Sequence, residues 1–294
     1  MPNMSEYKFI KMPDGAELHT EIHEAASPIW LICTHGIGEH MGRHKYISEL
    51  FGHHFNILRY DLRGHGRSQG QRGHIDSFTQ FIEDLHQIIL FLKDRYKMKR
   101  YVLFGHSMGA LITAGYMRHL VDDAFYPEKV FLNAPAVGFP GLLGQGLKRL
   151  PLRATAGLAK LPFTIKLGGL VDLNFLSHDP FVKDHYLEDD LNILKPHSKL
   201  LLEMVHYSFD LFKNPLNLKC SGHVSVGSDD HVIDPGALKN YFTKVERNFE
   251  LKVFDGAYHE IHNEVEKFRK PYFEFLKNTF LECLYQKGEV PLES

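Results

Sequence analysis

The chain has 294 residues, 44% of them hydrophobic and 24% charged, which is an ordinary globular composition with enough chain to bury a full core. Its formal net charge of −2, without a basic domain or a Lys/Arg tail, argues against nucleic acid as a partner. Three widely spaced cysteines predict reduced thiols, and the lack of an apolar leader or of an apolar run of about 18 residues predicts a cytoplasmic protein without a membrane span.

Short runs rich in β-branched and aromatic residues recur along the chain and predict the strands of one sheet. The first two form an antiparallel hairpin at a sheet edge, because they flank the turn residues 13–15. The later runs are almost continuously apolar, as in strands that are covered on both faces. The predicted strands are residues 8–10, 18–23, 27–33, 55–60, 100–104, 129–133, 222–226 and 249–254.

Amphipathic stretches between these runs predict helices over residues 78–96, 108–121, 235–242 and 265–284, the last one broken or bent near Pro271. Strands that alternate with helices are typical of βαβ units. The sequence therefore predicts an α/β fold, with a mostly parallel central sheet and helices on both of its faces.

The alternation stops over residues 137–212, a region with helix-like apolar stripes that opens rich in Gly, Leu, Pro and Lys. We interpret it as a helical cap inserted into a core formed by residues 1–136 and 213–294. Such a cap would cover the carboxyl ends of the strands, where open α/β sheets bind ligands. Its basic residues could contact an anionic membrane surface or simply form a solvated face. They are Lys148, Arg149, Arg153, Lys160 and Lys166.

The motif FGHSMGA, residues 104–110, places Ser107 where a predicted strand meets a predicted helix. Gly105 and Gly109 lack the Cβ atoms that would clash in so sharp a turn, so the serine hydroxyl would be exposed above the sheet. The motif alone also suits a serine that caps a helix in a glycine turn. As a nucleophile, Ser107 needs a base, and the base needs an orienting acid.

Two histidines after the last predicted strand are candidates for the base. His259 follows the strand closely, near a glycine turn, and His262 is a rival that could line the pocket instead. As a metal half-site the pair falls short of the three or four protein ligands of a zinc centre. We therefore predict no metal and no cofactor.

Three aspartates after the strand 222–226 are candidates for the acid, since the chain order of such triads is Ser, Asp, His. Asp234 precedes Pro235 and is interpreted as a helix N-cap. Asp229 and Asp230 remain, and the residues alone leave the choice between them open.

Two backbone N–H groups are predicted to stabilise a tetrahedral intermediate. One belongs to Met108, the residue after Ser107, and the other to Ile37 in the loop HGIGEH. Gly36 and Gly38 on either side of Ile37 would let its N–H approach a ligand closely. An ordinary glycine turn is the alternative interpretation of this loop.

Four separated segments support one another: HGIGEHMGR (35–43), YDLRGHGRS (60–68), GHSMGA (105–110) and DGAYHEIHNE (255–264). Together they resemble the α/β-hydrolase superfamily and, within it, the monoacylglycerol lipase and lysophospholipase group of serine hydrolases. The resemblance covers essentially the whole chain, and its first two segments are far more specific than the third.

The resemblance implies that Ser107 is the nucleophile, Asp230 the acid and His259 the base, with Ile37 and Met108 as the oxyanion donors. A further set of residues, in the first and last segments, would bind a glycerol head group. This set comprises Glu39, Arg43 and His262.

Two features qualify the comparison with monoacylglycerol lipases. Glu39 and Arg43 would equally suit an ion pair that only holds their loop. Leu176 stands where monoacylglycerol lipases have a tyrosine, and LSHDP (176–180) is closer to bacterial lysophospholipase-like members.

The predicted function is hydrolysis of the carboxylic ester of a single-chain lipid, with monoacylglycerol split to glycerol and fatty acid as the first choice. We expect a cytoplasmic enzyme whose cap could contact a membrane peripherally. Lysophospholipase or general carboxylesterase activity on the same triad is the alternative, and acyl transfer or peptide hydrolysis would also suit the fold. A binding protein on a hydrolase fold is disfavoured, because every catalytic role has a candidate residue.

Overall fold

The computed structural model describes residues 5–140, 157, 164–169 and 171–285. Within them one sheet contains β1 (Ser5–Lys11), β2 (Glu17–His23), β3 (Ile29–Thr34), β4 (Asn56–Tyr60), β5 (Arg100–His106), β6 (Lys129–Asn133), β7 (Ser221–Gly227) and β8 (Phe249–Phe254). The strand order is β1-β2-β4-β3-β5-β6-β7-β8. β2 pairs antiparallel with β1 and β4, and all other neighbours are parallel. The predicted mostly parallel sheet is confirmed.

Helices cover both faces of the sheet. They are α1 (Lys45–Phe51), α2 (Thr79–Arg95), α3 (Met108–His119), α4 (Pro180–Glu188), α5 (Ser198–Leu211), α6 (Pro235–Asn240) and α7 (Glu266–Tyr285). Successive residues of a strand point to opposite faces, and in β5 Tyr101 and Leu103 pack with α2 and α3. Val102 and Phe104 pack with α1 and α7 on the other face, which explains why the strand is apolar throughout.

The parallel pairing brings four loops to one edge of the sheet. Thr34 at the end of β3 is level with Gly105 of β5, and Gly227 at the end of β7 is level with Phe254 of β8. The loops that follow these strands carry the predicted oxyanion donor Ile37 and the three predicted catalytic residues. Ligand sites of open α/β sheets occur at this edge.

Several element boundaries differ from the predicted ones. The edge hairpin is longer, because β1 pairs with β2 over its whole length. β5 extends to His106, since its pairing with β6 continues to Asn133. α7 is one helix through Pro271, so of the two predicted alternatives, a break or a bend, the break is absent. Burial of its apolar side Tyr272, Leu276 and Phe280 offsets the lost backbone hydrogen bond.

Only part of the predicted cap is described. Lys148, Arg149, Arg153 and Lys160 lie outside the described residues, and Lys166 is exposed. The described part contains α4 and α5, and α5 packs into the core through Leu200 and Leu211. Taken over the described ranges, no helix is both long enough and apolar enough to cross a bilayer.

Candidate active site

Ser107 lies in the sharp turn between β5 and α3. Its φ of 52° and ψ of −116° are rare for L-residues, and its N–H donates to the Asn133 carbonyl at 2.8 Å. Strain of this kind persists only where the surroundings fix it, and it is concentrated at functional sites. The turn presents the serine beside the N-terminus of α3, whose partial positive charge favours a developing anion.

Gly105 and Gly109 make this turn possible. A Cβ atom at Gly105 would lie 2.5 Å from the Gly109 carbonyl oxygen, and one at Gly109 would lie 2.2 Å from the Thr34 carbonyl oxygen. Both distances are far below van der Waals contact, so a larger residue at either position would displace the backbone. The steric role that the motif predicts for the two glycines is confirmed.

His259 and Asp230 continue from Ser107 as one hydrogen-bonded series. Ser107 Oγ lies 3.0 Å from His259 Nε2, and His259 Nδ1 lies 2.6 Å from Asp230 Oδ2. Because an ionised carboxylate only accepts, Nδ1 carries the proton and Nε2 can accept from the serine hydroxyl. Asp230 Oδ1 accepts the N–H groups of Val232 at 2.7 Å and Ile233 at 3.0 Å, which fixes the orientation of the carboxylate.

The loops after β7 and β8 pack directly on each other. A Cβ atom at Gly227 would lie 2.1 Å from the Ala257 carbonyl oxygen, which also accepts the Asp229 N–H at 3.1 Å. Glycine at the end of β7 therefore lets the loop of His259 cross over the strand. This crossing brings an imidazole and the Asp230 carboxylate from separate loops within hydrogen-bonding distance.

The two other acidic candidates have local partners. Asp229 Oδ1 accepts the hydroxyl of the preceding serine at 2.9 Å. Asp234 is the N-cap of α6, where its side chain accepts the Ala237 N–H at 3.0 Å, which confirms its interpretation as a helix cap. Of these three aspartates, Asp230 is the one that the structure brings to His259.

The surroundings of His259 make it a stronger base than a free imidazole. Burial by itself lowers the pKa of His259, but the charge of Asp230 and the hydrogen bond to it outweigh burial, so the pKa lies above its usual 6.5. A raised imidazole pKa suits a group that takes a proton from serine and later returns it to a leaving group.

The loop after β3 lies against Ser107. A Cβ atom at Gly36 would lie 3.1 Å from Ser107 Cβ and 2.9 Å from Glu39 Oε1, so a side chain there would push the loop away from the serine. Within the described part of the chain, the N–H groups of Ile37 and Met108 donate no hydrogen bond. Unengaged N–H groups beside a nucleophile are what an oxyanion hole requires.

A cavity of about 860 Å³ opens next to Ser107. Ile37 and Gly38 form one side of its wall, and side chains from residues 167–205 form much of the rest. The apolar members of this second group include Leu167, Val171, Leu173, Leu187, Leu201 and Val205. The size and the apolar lining are typical of a site for a small molecule.

Two residues of the predicted cap form hydrogen bonds to the loop of Ile37. The Gly38 carbonyl accepts the Tyr186 hydroxyl of α4 and the Ile193 N–H, both at 2.7 Å. Gly38 has a φ of 75°, and a Cβ atom there would lie 2.7 Å from the Tyr186 hydroxyl. The predicted cap is thus bonded directly to the loop that carries a predicted oxyanion donor.

The side chains of Glu39 and Arg43 bond to other protein groups near this loop. Glu39 is 2% exposed, and its Oε1 accepts the Gly36 N–H at 2.5 Å and His44 Nε2–H at 2.9 Å. Arg43 forms ion pairs with Glu39 and Glu260. Burial would raise the pKa of Glu39, but its interactions with His44 foremost, and with His106 and Arg43, hold that pKa well below its usual value.

His262 is enclosed in the same region. It is 2% exposed, and its ring centre lies 4.9 Å from those of both His44 and Tyr46 and 5.1 Å from that of His106. Burial, followed by the charges of His44 and His106, lowers the pKa of His262 well below its usual value. Neither ring nitrogen has a hydrogen-bond partner among the described residues.

Head-group binding by Glu39, Arg43 and His262 stays a prediction. None of these three residues lines the cavity next to Ser107, and the carboxylate and the guanidinium are used by protein partners. The alternative interpretation, an ion pair that holds the loop, describes Glu39 and Arg43 as they lie in the structure.

Sequence reasoning missed Asn133 and Glu264. Asn133 donates from Nδ2 to His106 Nδ1 at 2.9 Å and accepts the Ser225 hydroxyl at 2.7 Å, so it supports the turn of Ser107 from the neighbouring strand. Its place at the end of a predicted strand was an available signal. Glu264 is fully buried beside the loop of His259, and its place in a polar segment gave no sign of that.

The sheet order, the strand–turn–helix at Ser107 and the helices on both faces define an α/β-hydrolase. Residues 28–266 match the model of the family described as Serine aminopeptidase, S33, so the chain belongs to that family. The predicted resemblance and the predicted fold are confirmed.

Individual relatives indicate which kind of α/β-hydrolase this chain resembles. A monoacylglycerol lipase of Mycolicibacterium smegmatis is 28% identical over 81% of this chain and 83% of its own. The crystal structure of Paleococcus ferrophilus monoacylglycerol lipase has a TM-score of 0.71 and 25% identity, and covers 94% of this chain and 99% of its own. An uncharacterised abhydrolase domain-containing protein of Dictyostelium discoideum is 26% identical over 79% of this chain, which spans only 24% of that protein. The chain is therefore a carboxylic ester hydrolase similar to monoacylglycerol lipases.

Proposed function

We propose that this enzyme hydrolyses the carboxylic ester of a single-chain lipid, and that monoacylglycerol is its main substrate. The observation that carries the proposal is the series Ser107–His259–Asp230 at the wall of a largely apolar cavity of about 860 Å³. An apolar cavity of this size suits one acyl chain, and the names of the relatives point to the same substrate class.

In the acylation half of the proposed reaction, Ser107 Oγ attacks the ester carbonyl carbon while His259 Nε2 takes the hydroxyl proton. The carbonyl oxygen becomes an oxyanion that accepts from the N–H groups of Ile37 and Met108. Asp230 stabilises the imidazolium that forms. The ester C–O bond then breaks, and the alcohol leaves with the proton from His259.

Deacylation repeats these steps with water. A water molecule attacks the acyl carbon of the acyl-enzyme and gives its proton to His259, and the oxyanion forms again at the same donors. Collapse of the intermediate breaks the bond to Ser107 Oγ, which takes the proton back. The fatty acid leaves, and the enzyme returns to its starting state.

Lysophospholipid is the second candidate substrate. Leu176 stands in place of the tyrosine of monoacylglycerol lipases, and it is buried with its carbonyl accepting the Glu260 N–H at 2.8 Å. Glu39, Arg43 and His262 do not line the cavity, so the described lining offers no dedicated glycerol contact from them. Both observations favour a head group other than glycerol.

We also propose that residues 137–212 act as a cap that meets a membrane peripherally. Ile165, Phe181, Leu187 and Leu194 are exposed large apolar side chains of this region, and the last two also line the cavity. Exposed apolar side chains in the cavity wall would let an acyl chain pass from a bilayer to Ser107. Co-sedimentation with anionic lipid vesicles tests this: Leu187→Ser with Leu194→Ser should lower the bound fraction.

A substrate panel tests the function. Wild-type enzyme and Ser107→Ala are compared on monoacylglycerols, lysophospholipids and p-nitrophenyl esters from acetyl to decanoyl. We expect turnover by the wild type alone, a preference for decanoyl over acetyl, and more rapid cleavage of monoacylglycerol than of lysophospholipid. Equal activity of both proteins would refute the mechanism, and a preference for acetyl would argue against a lipid substrate. Failure of a fluorophosphonate probe to label Ser107 would favour a binding protein.

A further inference from the structure

The two residues that flank His259 are both tied to the segment 175–178, in the middle of the predicted cap. The Glu260 N–H donates to the Leu176 carbonyl at 2.8 Å. On the other side of His259, the Tyr258 ring stacks on the His178 ring with centres 3.8 Å apart and planes 22° apart. The catalytic loop is therefore clamped from outside the core on either side of the imidazole.

Glu264 is the centre of this clamp. It is fully buried, and its Oε1 accepts the Tyr258 N–H at 2.9 Å and His178 Nδ1–H at 2.8 Å. Its Oε2 accepts the N–H groups of His178 at 3.0 Å and Val265 at 3.1 Å. Ser177 adds a hydroxyl that donates to the Asn263 carbonyl at 2.9 Å.

Each hydrogen-bond partner of Glu264 donates to its carboxylate oxygens, so this site requires a carboxylate. A glutamine of the same shape would point its NH₂ group at two of these donors and leave them without an acceptor, a large penalty in a buried site. The carboxylate thus holds the backbone next to His259 and the segment 175–178 in one arrangement.

The segment 175–178 also contacts the loop that carries Asp230. Phe175 stacks on His231, the residue after Asp230, with ring centres 4.0 Å apart and planes 29° apart. His231 lines the cavity. Four consecutive residues therefore contact both of the loops that supply the imidazole and the carboxylate of the proposed triad.

We propose that Glu264 is a positioning residue, which couples residues 175–178 of the predicted cap to the loop of His259 and so sets the reactivity of Ser107. The inference rests on the proposed triad. Nucleophile and base must keep a hydrogen-bonded geometry, and a displacement of about 1 Å can lower a rate about 100-fold. Loss of the clamp should therefore appear in kcat and not in substrate binding.

The chain offers a matched control for Glu264→Gln. Glu246 is 1% exposed and also accepts three backbone N–H groups, from Leu216 at 2.7 Å, Asn217 at 3.1 Å and Asn248 at 2.8 Å. It joins a connection before β7 to the turn before β8, away from the proposed triad. Glu246→Gln should lower the Tm as Glu264→Gln does, without touching the chemistry.

The experiment measures kcat, KM and the pH profile on p-nitrophenyl acetate, with the reactive serine titrated by a fluorophosphonate probe. We expect Glu264→Gln to lower kcat per reactive serine about 10- to 100-fold, with KM changed less than about 3-fold. The apparent pKa of kcat/KM should also move downward, because a displaced His259 loop weakens the interaction with Asp230 that raises this pKa. Glu246→Gln should keep the wild-type kcat and profile. Equal kcat values for the two variants would overturn the inference.

Two further variants serve if Glu264→Gln does not fold. His178→Ala and Ser177→Ala remove the outer half of the clamp and keep the buried carboxylate, and they should each lower kcat in the same direction by a smaller factor. Wild-type kcat in both would refute the coupling. Absence of labelling at Ser107 in the wild type would instead refute the proposed triad, so the two failures are distinguishable.

Discussion

The series Ser107–His259–Asp230 and the cluster of His44, His106 and His262 lie side by side in the same buried region. The rings of His106 and His259 are 5.0 Å apart. His259 and His262 are 3% and 2% exposed, yet the pKa of the first is raised and that of the second is lowered.

The difference lies in the partner and not in burial. Burial disfavours the charged form of both imidazoles, but Asp230 bonds to His259 at 2.6 Å and more than compensates. His262 faces other histidines, whose charge would repel its own. Between these two enclosed histidines, the bonded carboxylate of Asp230 is what distinguishes the base.

The largest expected effect comes from replacing His259, and replacement of His262 is the matched control. His259→Gln should lower kcat by about 10⁴- to 10⁶-fold, because no group then takes the serine proton. His262→Gln should change kcat by less than about 10-fold, because its ring contacts neither Ser107 nor the cavity wall. Steady-state kinetics on a p-nitrophenyl ester measures both. Comparable losses of kcat in the two variants would contradict the assignment of His259 alone as the base.

Next in size is removal of the carboxylate. Asp230→Asn should lower kcat about 10⁴-fold, since the amide no longer fixes the Nδ1–H tautomer or stabilises the imidazolium. Asp229→Asn is the matched control and should stay within about 2-fold of the wild type, because Asp229 bonds to a neighbouring serine. An Asp229→Asn enzyme as impaired as Asp230→Asn would reassign the acid.

The pH profile tests the raised pKa of His259. Below that pKa the imidazole is protonated and cannot accept the serine proton, so log(kcat/KM) should rise with slope one and level off above an apparent pKa that exceeds 6.5. Asp230→Asn should move the residual profile to lower pH, since the charge that raises the pKa is gone. A wild-type midpoint below 6.5 would contradict the assignment.

The smallest expected effect concerns stability in acid. Burial lowers the pKa of His35 to about 3 and of His65 to about 4, so the folded state stays neutral at these rings while the unfolded chain binds protons below 6.5. Stability should therefore fall as the pH drops from 6.5 towards 4, by about 1.4 kcal/mol per pH unit for each such histidine. The Tm measured by calorimetry across this range checks it, and His65→Asn should flatten the slope. A Tm independent of pH would contradict buried neutral rings.

The sequence predicted most of the core because the core follows periodic rules. The strand over 129–133 and the start of the helix at 108 match the structure, since continuous apolar runs and a helix beginning at an elbow leave little choice. Boundaries such as the end of β5 at His106 depend on pairing with another strand, which no local pattern records.

The proposed site divides in the same way. Gly105, Ser107 and Gly109 form one short motif whose backbone sterics are local, so the sequence by itself determined the turn. The choice between Asp229 and Asp230 by geometry, the enclosure of His262 and the burial of Glu264 were decided by the tertiary structure alone. In each case the deciding contact joins loops that are distant in the chain and meet only where the strands end. Tertiary packing sets such contacts, and it alone separates a cavity-facing side chain from an enclosed one of the same type.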